Sequence, residues 1–333
     1  MFRTTLLIIA ITALSVASFA QKESDVAVYN PKAKITLAGT LSEPEAKPKA
    51  VLVMLTGSGA QNRDEEIFGH KPFKVLADEL AKAGYASLRM DDRGYGTSEG
   101  DITKATLDDF LSDANTAIAF ADSVLKDVPI GILGHSEGGL NAIRLGADNE
   151  DVNFIITLAA PAWPGDSIIM SQARAIATAA MGSWPQEQLE RDLLNIAKSP
   201  VPTPMARMSL MARMGKEFGG SLPPAIAENI AAQVEGLISP SYRSFLRFDP
   251  SGKIAALKKP WLAMNGDKDF QVLPGNLETI RQLNPSATTV LLERHNHLFQ
   301  ECSTGMIDEY SRQVPTPSET AVTTILNWLN KMF

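Results

Sequence analysis

The stretch Pro129–Gly146, PIGILGHSEGGLNAIRLG, decides the fold. Its first residues form an apolar run that predicts a buried strand, and its last residues carry apolar side chains at helical spacing. Between them lies a serine, Ser136, with a glycine two residues before it and two residues after it. A sharp strand-to-helix turn needs this pattern, because side chains at the glycine positions would collide with the neighbouring strand and helix. Ser136 is therefore the candidate nucleophile, and an ordinary glycine-rich turn in a parallel sheet is the alternative.

The segments around this turn alternate between buried strands and amphipathic helices. The continuous apolar run Ala50–Leu55 is typical of a strand that is covered on both faces. Further strands are predicted at Tyr85–Met90, Asn153–Ala160 and Lys259–Asn265. Helical spacing separates them, and this alternation predicts an α/β fold with a mostly parallel central sheet and helices on both faces. Catalytic groups are expected at the carboxyl ends of the parallel strands.

The chain divides into four predicted parts. Residues 1–20 resemble a signal peptide, with Arg3, an apolar core and a Ser18-Phe19-Ala20 cleavage site, so we expect export to the periplasm or beyond the cell. Residues 21–48 predict a β-hairpin and a link, while residues 49–162 and 251–333 predict the α/β core. Residues 163–250 depart from the alternation and predict an inserted helical cap that is rich in methionine. Flexible methionine side chains suit either an adaptable apolar pocket or the core of the cap itself.

The composition limits the classes of function. The 333 residues carry a net charge of −7 without long runs of either sign, so no nucleic-acid surface is expected. The single cysteine, Cys302, allows no intramolecular disulfide. No cluster of His, Cys and carboxylates has the spacing of a zinc site, and the predicted chemistry needs no metal or organic cofactor.

A serine nucleophile needs a base, and the base needs a group that fixes its tautomer. The chain has four histidines, of which His295 and His297 follow a late predicted strand. We prefer His297 because it lies farther into the loop, with His295 as the alternative. Two aspartates, Asp267 and Asp269, follow the strand before it, and we choose Asp269 as the acid.

Two glycine-rich loops complete the predicted site. The loop Thr56–Ala60 can turn a backbone N–H towards a carbonyl oxygen, with Ser58 as the first oxyanion donor and Gly59 as the alternative. The second donor is the N–H of Glu137, directly after the nucleophile. A phosphate-binding loop is the competing interpretation, but the lysine followed by serine or threonine is absent. Asp91 and Arg93 in the second loop are expected to brace it rather than to react.

Three motifs connect this chain to a known group of proteins. The stretches DDRGYGTS at Asp91–Ser98, GDKDFQV at Gly266–Val272 and NHLFQ at Asn296–Gln300 accompany the serine turn. Together they resemble the α/β-hydrolase superfamily, and within it the exported bacterial serine esterases. The resemblance covers the chain from about Lys49 onwards apart from the cap, and it implies Ser136, Asp269 and His297 as a catalytic triad.

The resemblance implies a serine hydrolase that cleaves a small-molecule carboxylic ester through an acyl-enzyme. A peptidase or amidase on the same fold is the nearest alternative, and it would use cap carboxylates such as Glu217 or Glu228 to hold a peptide N-terminus. A thioesterase or acyltransferase is less attractive for an exported chain. A non-catalytic binding scaffold is disfavoured because all three residues of the triad are present.

Overall fold

A computed structural model describes residues 21–217 and 224–333, so the predicted signal peptide lies outside the described residues. In these ranges the strands are β1 Lys22–Asn30, β2 Ile35–Glu43, β3 Val51–Leu55, β4 Ala86–Met90, β5 Ile130–His135, β6 Phe154–Leu158, β7 Trp261–Gly266 and β8 Thr288–Leu292. The helices are α1 Pro72–Lys82, α2 Leu107–Val124, α3 Glu137–Asp148, α4 Gly165–Met181, α5 Glu187–Lys198, α6 Thr203–Lys216, α7 Pro224–Leu237, α8 Pro240–Arg247, α9 Ser251–Ala256, α10 Gly275–Leu283 and α11 Glu319–Met332.

The strands form one sheet in the order β1-β2-β4-β3-β5-β6-β7-β8. The six strands from β4 to β8 in this order pair in parallel, whereas β2 pairs antiparallel with both β1 and β4. The predicted mostly parallel sheet is therefore confirmed. Parallel pairing brings the carboxyl ends of β3, β5, β7 and β8 to one edge, where the loops that carry the candidate site begin.

Helices cover both faces of the sheet, as the continuous apolar strands predict. On one face the buried side chains of α2 and α3, such as Ile118 and Ile143, pack against Val53 and Ile132. On the other face α1 and α11 pack against residues of the same strands, with Leu76 and Ile325 buried against Leu52 and Leu133. Burial on two faces removes apolar surface from water on every central strand, and this is the main source of stability of the core.

Helices α4 to α8 lie between β6 and β7 in the chain, and part of this segment, called the cap below, has a core of its own. Leu210 of α6 and Val234 of α7 are both fully buried in a cluster separate from the sheet. The buried guanidinium of Arg243 in α8 donates hydrogen bonds to the backbone oxygens of Ala197, Ser199 and Val201. These bonds satisfy carbonyl groups at the end of α5 and fasten α8 to it.

None of the helices within residues 21–217 and 224–333 combines the length and the apolar composition needed to cross a membrane.

Candidate active site

Ser136 lies at the turn between β5 and α3 with a backbone φ of 52°. A positive φ is unusual for a residue with a side chain, and such strain persists only where the surrounding structure enforces it. The Ser136 N–H donates to the backbone oxygen of Leu158 at 2.8 Å, which ties the turn to the neighbouring strand β6. The turn therefore has the geometry of a nucleophile elbow.

The two flanking glycines are required by close backbone contacts. A Cβ at Gly134 would lie 2.2 Å from the backbone oxygen of Gly138, and a Cβ at Gly138 would lie 2.1 Å from that of Leu55. Neither separation is possible for real atoms. The sequence pattern around Ser136 thus follows from how tightly α3 approaches β3 and β5.

His297 and Asp269 are brought together by the loops after β8 and β7. Nδ1 of His297 lies 2.8 Å from Oδ2 of Asp269, and both side chains are buried. Oδ1 of the same carboxylate accepts the backbone N–H groups of Gln271 and Val272 at 2.8 and 2.9 Å. Because one oxygen of Asp269 is held by the backbone, the other is fixed in the orientation that binds the imidazole.

His295 and Asp267 have other partners. The two ring nitrogens of His295 lie 2.7 Å from the backbone oxygen of Glu293 and 2.8 Å from Oγ of Ser318. Asp267 accepts the backbone N–H of His295 at 3.3 Å. The structure therefore pairs His297 with a carboxylate and uses His295 to anchor the start of α11.

The flanking residues of the NHLFQ motif hold the histidine loop. Oδ1 of Asn296 accepts the backbone N–H groups of Leu298 and Gln300 at 3.0 and 3.1 Å. The amide nitrogen of Gln300 donates to the backbone oxygens of Tyr310 and Gln313. Both amide side chains are fully buried, so they replace the hydrogen bonds with water that this irregular loop gives up.

A cavity of about 560 Å³ separates the sheet edge from the cap. Ser58, Gly59, Ser136 and Glu137 line its floor. Its cap side consists of apolar and uncharged polar side chains, among them Ile168, Leu237, Phe245, Gln172, Gln233 and Tyr242. Among the described lining residues Glu137 is the only carboxylate, and none is a lysine or an arginine. No methionine from the described part of the cap lines this cavity, whereas Met170 lines a separate pocket beside α4.

The loop after β4 is braced by ion pairs with two different neighbours. Asp91 accepts from the guanidinium of Arg63 at 2.7 and 3.0 Å, while Arg93 donates to Asp113 at 2.6 and 2.8 Å. The predicted bracing role of Asp91 and Arg93 agrees with these contacts, although the two residues do not pair with each other. Among residues 21–217 and 224–333, no group of three or more His, Cys, Asp or Glu side chains is arranged to hold a metal ion.

Comparison with known proteins gives a family-model match to part of the chain and a fold. The family model described as "Serine aminopeptidase, S33" matches residues 47–208. Two solved structures are similar over most of both chains. An esterase from Pyrococcus furiosus has a TM-score of 0.59 at 16% identity, covering 93% of this chain and 91% of its own. An alpha/beta hydrolase from a Penicillium species has a TM-score of 0.60 at 17% identity, covering 93% and 98%. By fold, the chain is an α/β-hydrolase.

Curated relatives of this chain are about a quarter identical to it over the aligned residues. An esterase from Thermotoga maritima is 26% identical over 50% of this chain, and the match spans 39% of the relative's own length. A monoacylglycerol lipase from Mycolicibacterium smegmatis is 25% identical over 68% of this chain and 72% of its own. The chain thus spans about two fifths of the length of the first relative and a larger share of the second.

Two buried residues near the site were not predicted as functional. These are Glu65 and His135, of which His135 directly precedes the proposed nucleophile. In the structure Nδ1 of His135 lies 2.9 Å from Oε1 of Glu65, and Nε2 lies 3.0 Å from the backbone oxygen of His297. A role for His135 could have been predicted from the sequence, because a residue directly before Ser136 must lie close to the site.

Proposed function

We propose that the chain hydrolyses carboxylic esters through a Ser-His-Asp triad of Ser136, His297 and Asp269. The names of two relatives, an esterase and a monoacylglycerol lipase, support ester hydrolysis as the reaction. The observation that carries the proposal is the hydrogen bond between His297 and Asp269, with Ser136 on a strained elbow that faces the cavity. These are the groups that an acyl transfer to serine requires.

In the proposed reaction, Oγ of Ser136 attacks the acyl carbon while Nε2 of His297 removes its proton. The backbone N–H groups of Ser58 and Glu137 stabilise the oxyanion of the tetrahedral intermediate, with Gly59 as the alternative first donor. His297 then gives the proton to the leaving alcohol, which leaves an ester of Ser136. Water, deprotonated by His297, attacks this acyl-enzyme and releases the acid. Asp269 orients the imidazole and stabilises its charged form.

The lining of the cavity supports an uncharged substrate. Within the described lining there is no cationic side chain that would hold a carboxylate or phosphate on the substrate. Apolar residues from α4, α5 and α8 suit an acyl chain, and neighbouring amides and hydroxyls suit a polar alcohol portion. A volume of about 560 Å³ accommodates esters of modest size.

A peptidase is the second candidate because the matching family model carries an aminopeptidase description. An aminopeptidase needs carboxylates that bind the charged N-terminus of the peptide. Glu217 instead pairs with Arg213 at 2.6 Å, and Glu228 is exposed; neither lines the cavity. Among the described lining residues Glu137 is the one carboxylate, so this lining favours the ester.

Ser136→Ala tests the proposal directly. We expect this variant to lose hydrolysis of short-chain p-nitrophenyl esters and labelling by a fluorophosphonate probe, because both require the Oγ nucleophile. Labelling that survives in the variant would exclude Ser136. The unsubstituted chain should be screened in parallel on short and long acyl esters and on aminopeptidase substrates, and a clear preference for the peptides would overturn ester hydrolysis as the function.

His297→Ala and His295→Ala form a matched pair that identifies the base. Both remove a buried imidazole from the same loop, but only His297 contacts a buried carboxylate. We expect ester hydrolysis to fall by at least about a thousandfold in His297→Ala. The His295→Ala variant should keep most of its activity at a lower melting temperature. The opposite order of activities would assign the base to His295.

A further inference from the structure

Glu65 and His135 connect the loops that carry the proposed catalytic groups. Glu65 lies in the loop after β3, is buried and has a φ of 52°. Its Oε1 accepts the backbone N–H of Gly57 at 2.6 Å, directly before the proposed donor Ser58. The same oxygen lies 2.9 Å from Nδ1 of His135. One carboxylate oxygen thus joins the oxyanion loop to the elbow.

His135 extends this connection to the histidine loop. Its Nε2 lies 3.0 Å from the backbone oxygen of His297, and the centroids of the two rings are 4.7 Å apart. The contacts therefore run from Gly57 through Glu65 and His135 to His297. Each contact adjoins a group that the proposed reaction uses, yet neither Glu65 nor His135 lines the cavity.

The acceptor groups fix the protons of this pair. A backbone carbonyl only accepts, so Nε2 of His135 carries a proton. Another proton must lie between Nδ1 and Oε1 of Glu65, because two lone pairs at 2.9 Å repel each other. Burial by itself lowers the pKa of His135, but the charge and hydrogen bond of Glu65 and the hydrogen bond to His297 outweigh it, so that the pKa is raised. Asp269 adds a smaller effect in the same direction. The raised pKa of His135 favours the form in which both of its ring nitrogens carry a proton.

We propose that Glu65 and His135 are positioning residues, which set the oxyanion loop and the histidine loop at the correct distance from Ser136. This inference rests on the proposed function. A buried ion pair contributes little net stability compared with apolar residues of the same size, so stability alone gives no reason for it here. Holding the oxyanion loop, the elbow and the histidine loop in fixed relative positions does give a reason, because a shift of about 1 Å in a reacting group costs about a hundredfold in rate.

Glu65→Gln separates this role from simple packing. A glutamine has the same shape, but one side-chain atom must contact both the N–H of Gly57 and Nδ1 of His135. An amide oxygen at that place accepts from Gly57 but gives no hydrogen to Nδ1 of a neutral His135 that keeps its proton on Nε2. If the amide nitrogen faces His135, it also faces the N–H of Gly57, and that contact is lost. We expect kcat to fall by about 10- to 100-fold with KM changed by less than about twofold, because the loops move while the cavity remains.

Glu66→Gln is the matched control, since Glu66 is the next residue in the same loop but its side chain is exposed and pairs with Lys71. It should keep the activity of the unsubstituted chain. The ester hydrolysis of the unsubstituted chain, and its loss in Ser136→Ala, test the proposed function. The kcat of Glu65→Gln divided by that of the unsubstituted chain tests the positioning role. A folded Glu65→Gln with unchanged kcat, at any melting temperature, would overturn the positioning role.

Nitrogen-15 NMR of the unsubstituted chain gives a measurement that needs no activity and no folded Glu65 variant. The chain has only four histidines, so substitution of the other three, one at a time, assigns their signals and leaves that of His135. At about pH 7, where an ordinary histidine is mostly neutral, His135 should show protons on both ring nitrogens. A single ring proton on His135 at that pH would refute the charged pair.

Discussion

Glu137 carries the side chain whose ionisation should weaken the fold most clearly. It is the first residue of α3, and with Asp92 and Asn141 it lines a small cavity of about 60 Å³ beneath the oxyanion loop. Burial raises the pKa of Glu137 from its ordinary value of 4.5 to about 7, and no charge or hydrogen-bond partner in the described part of the chain opposes this. Burial also raises the pKa of Asp92 to about 7, with a smaller contribution from Glu137. Glu137→Gln should remove the cost of ionisation without removing a hydrogen bond.

The sign and the size of the effect follow from the direction of the shift. A carboxyl with a raised pKa binds its proton more tightly in the folded chain, so stability falls as the pH rises from about 4.5 to about 7 and is then constant. The full shift corresponds to about 3 kcal/mol. Solvent screening and the dipole of α3 both favour the ionised form, so we expect about 1–3 kcal/mol. Glu137→Gln should therefore match the unsubstituted chain near pH 4.5 and exceed its stability by this amount above about pH 7.5.

Urea denaturation at about pH 5, 6, 7 and 8 measures this difference from the midpoint and slope at each pH. The control is Glu319→Gln, which changes the first residue of another helix, α11, where the side chain is exposed. An exposed carboxylate at a helix N-terminus is stabilising, so this variant should lose a few tenths of a kcal/mol at neutral pH. A gain for Glu137→Gln that is the same at every pH, or a loss at pH 8, would refute the reasoning.

Two further predictions concern the elbow and the N-terminus. Gly138→Ala should lower the unfolding free energy by more than about 3 kcal/mol, because its Cβ would overlap the backbone of β3. The control is Gly252→Ala in α9, where a Cβ meets nothing within 4 Å, and this variant should be neutral or gain up to about 1 kcal/mol. Equal unfolding midpoints of the two variants would contradict the close approach of α3 to β3. If residues 1–20 are a signal peptide, mass spectrometry of the chain recovered from the periplasm or medium of a bacterial host should show a start at Gln21, and a full-length chain in the cytoplasm would contradict export.

The sheet was predictable from sequence because its strands are buried on both faces. Runs such as Ala50–Leu55 and Asn153–Ala160 need no tertiary information to be recognised, and they correspond to β3 and β6. Helix α8 is harder to predict from the sequence, because Pro240 interrupts the helical spacing of the cap. In the structure Pro240 is the first helical residue after the cap residue Ser239, a position where proline has no N–H to lose.

The methionines of the cap show where residue type is a weak guide. Their flexibility suited a pocket wall, but Met181, Met205 and Met208 are 57%, 57% and 73% exposed, and Met214 is buried in the core of the cap. Which face of a cap helix meets the sheet depends on how the helices pack on each other. Helical spacing indicates that a helix has two faces but does not indicate which of them covers the active site.

Asp269 and His297 could be proposed from the sequence, whereas Glu65 could not. The proposed triad residues belong to short motifs whose order along the chain is characteristic, so position alone predicted their role. Glu65 and His135 are 70 residues apart, and His135 and the carbonyl of His297 are 162 residues apart, with no motif that joins them. What makes Glu65 unusual is burial in a loop, where a carboxylate is expected to be in water. A charged residue that is buried in a loop needs a buried partner, and here that partner adjoins the nucleophile. The cost of burying the charge of Glu65 is the same whatever ester the chain cleaves, so the need for this partner does not depend on the substrate.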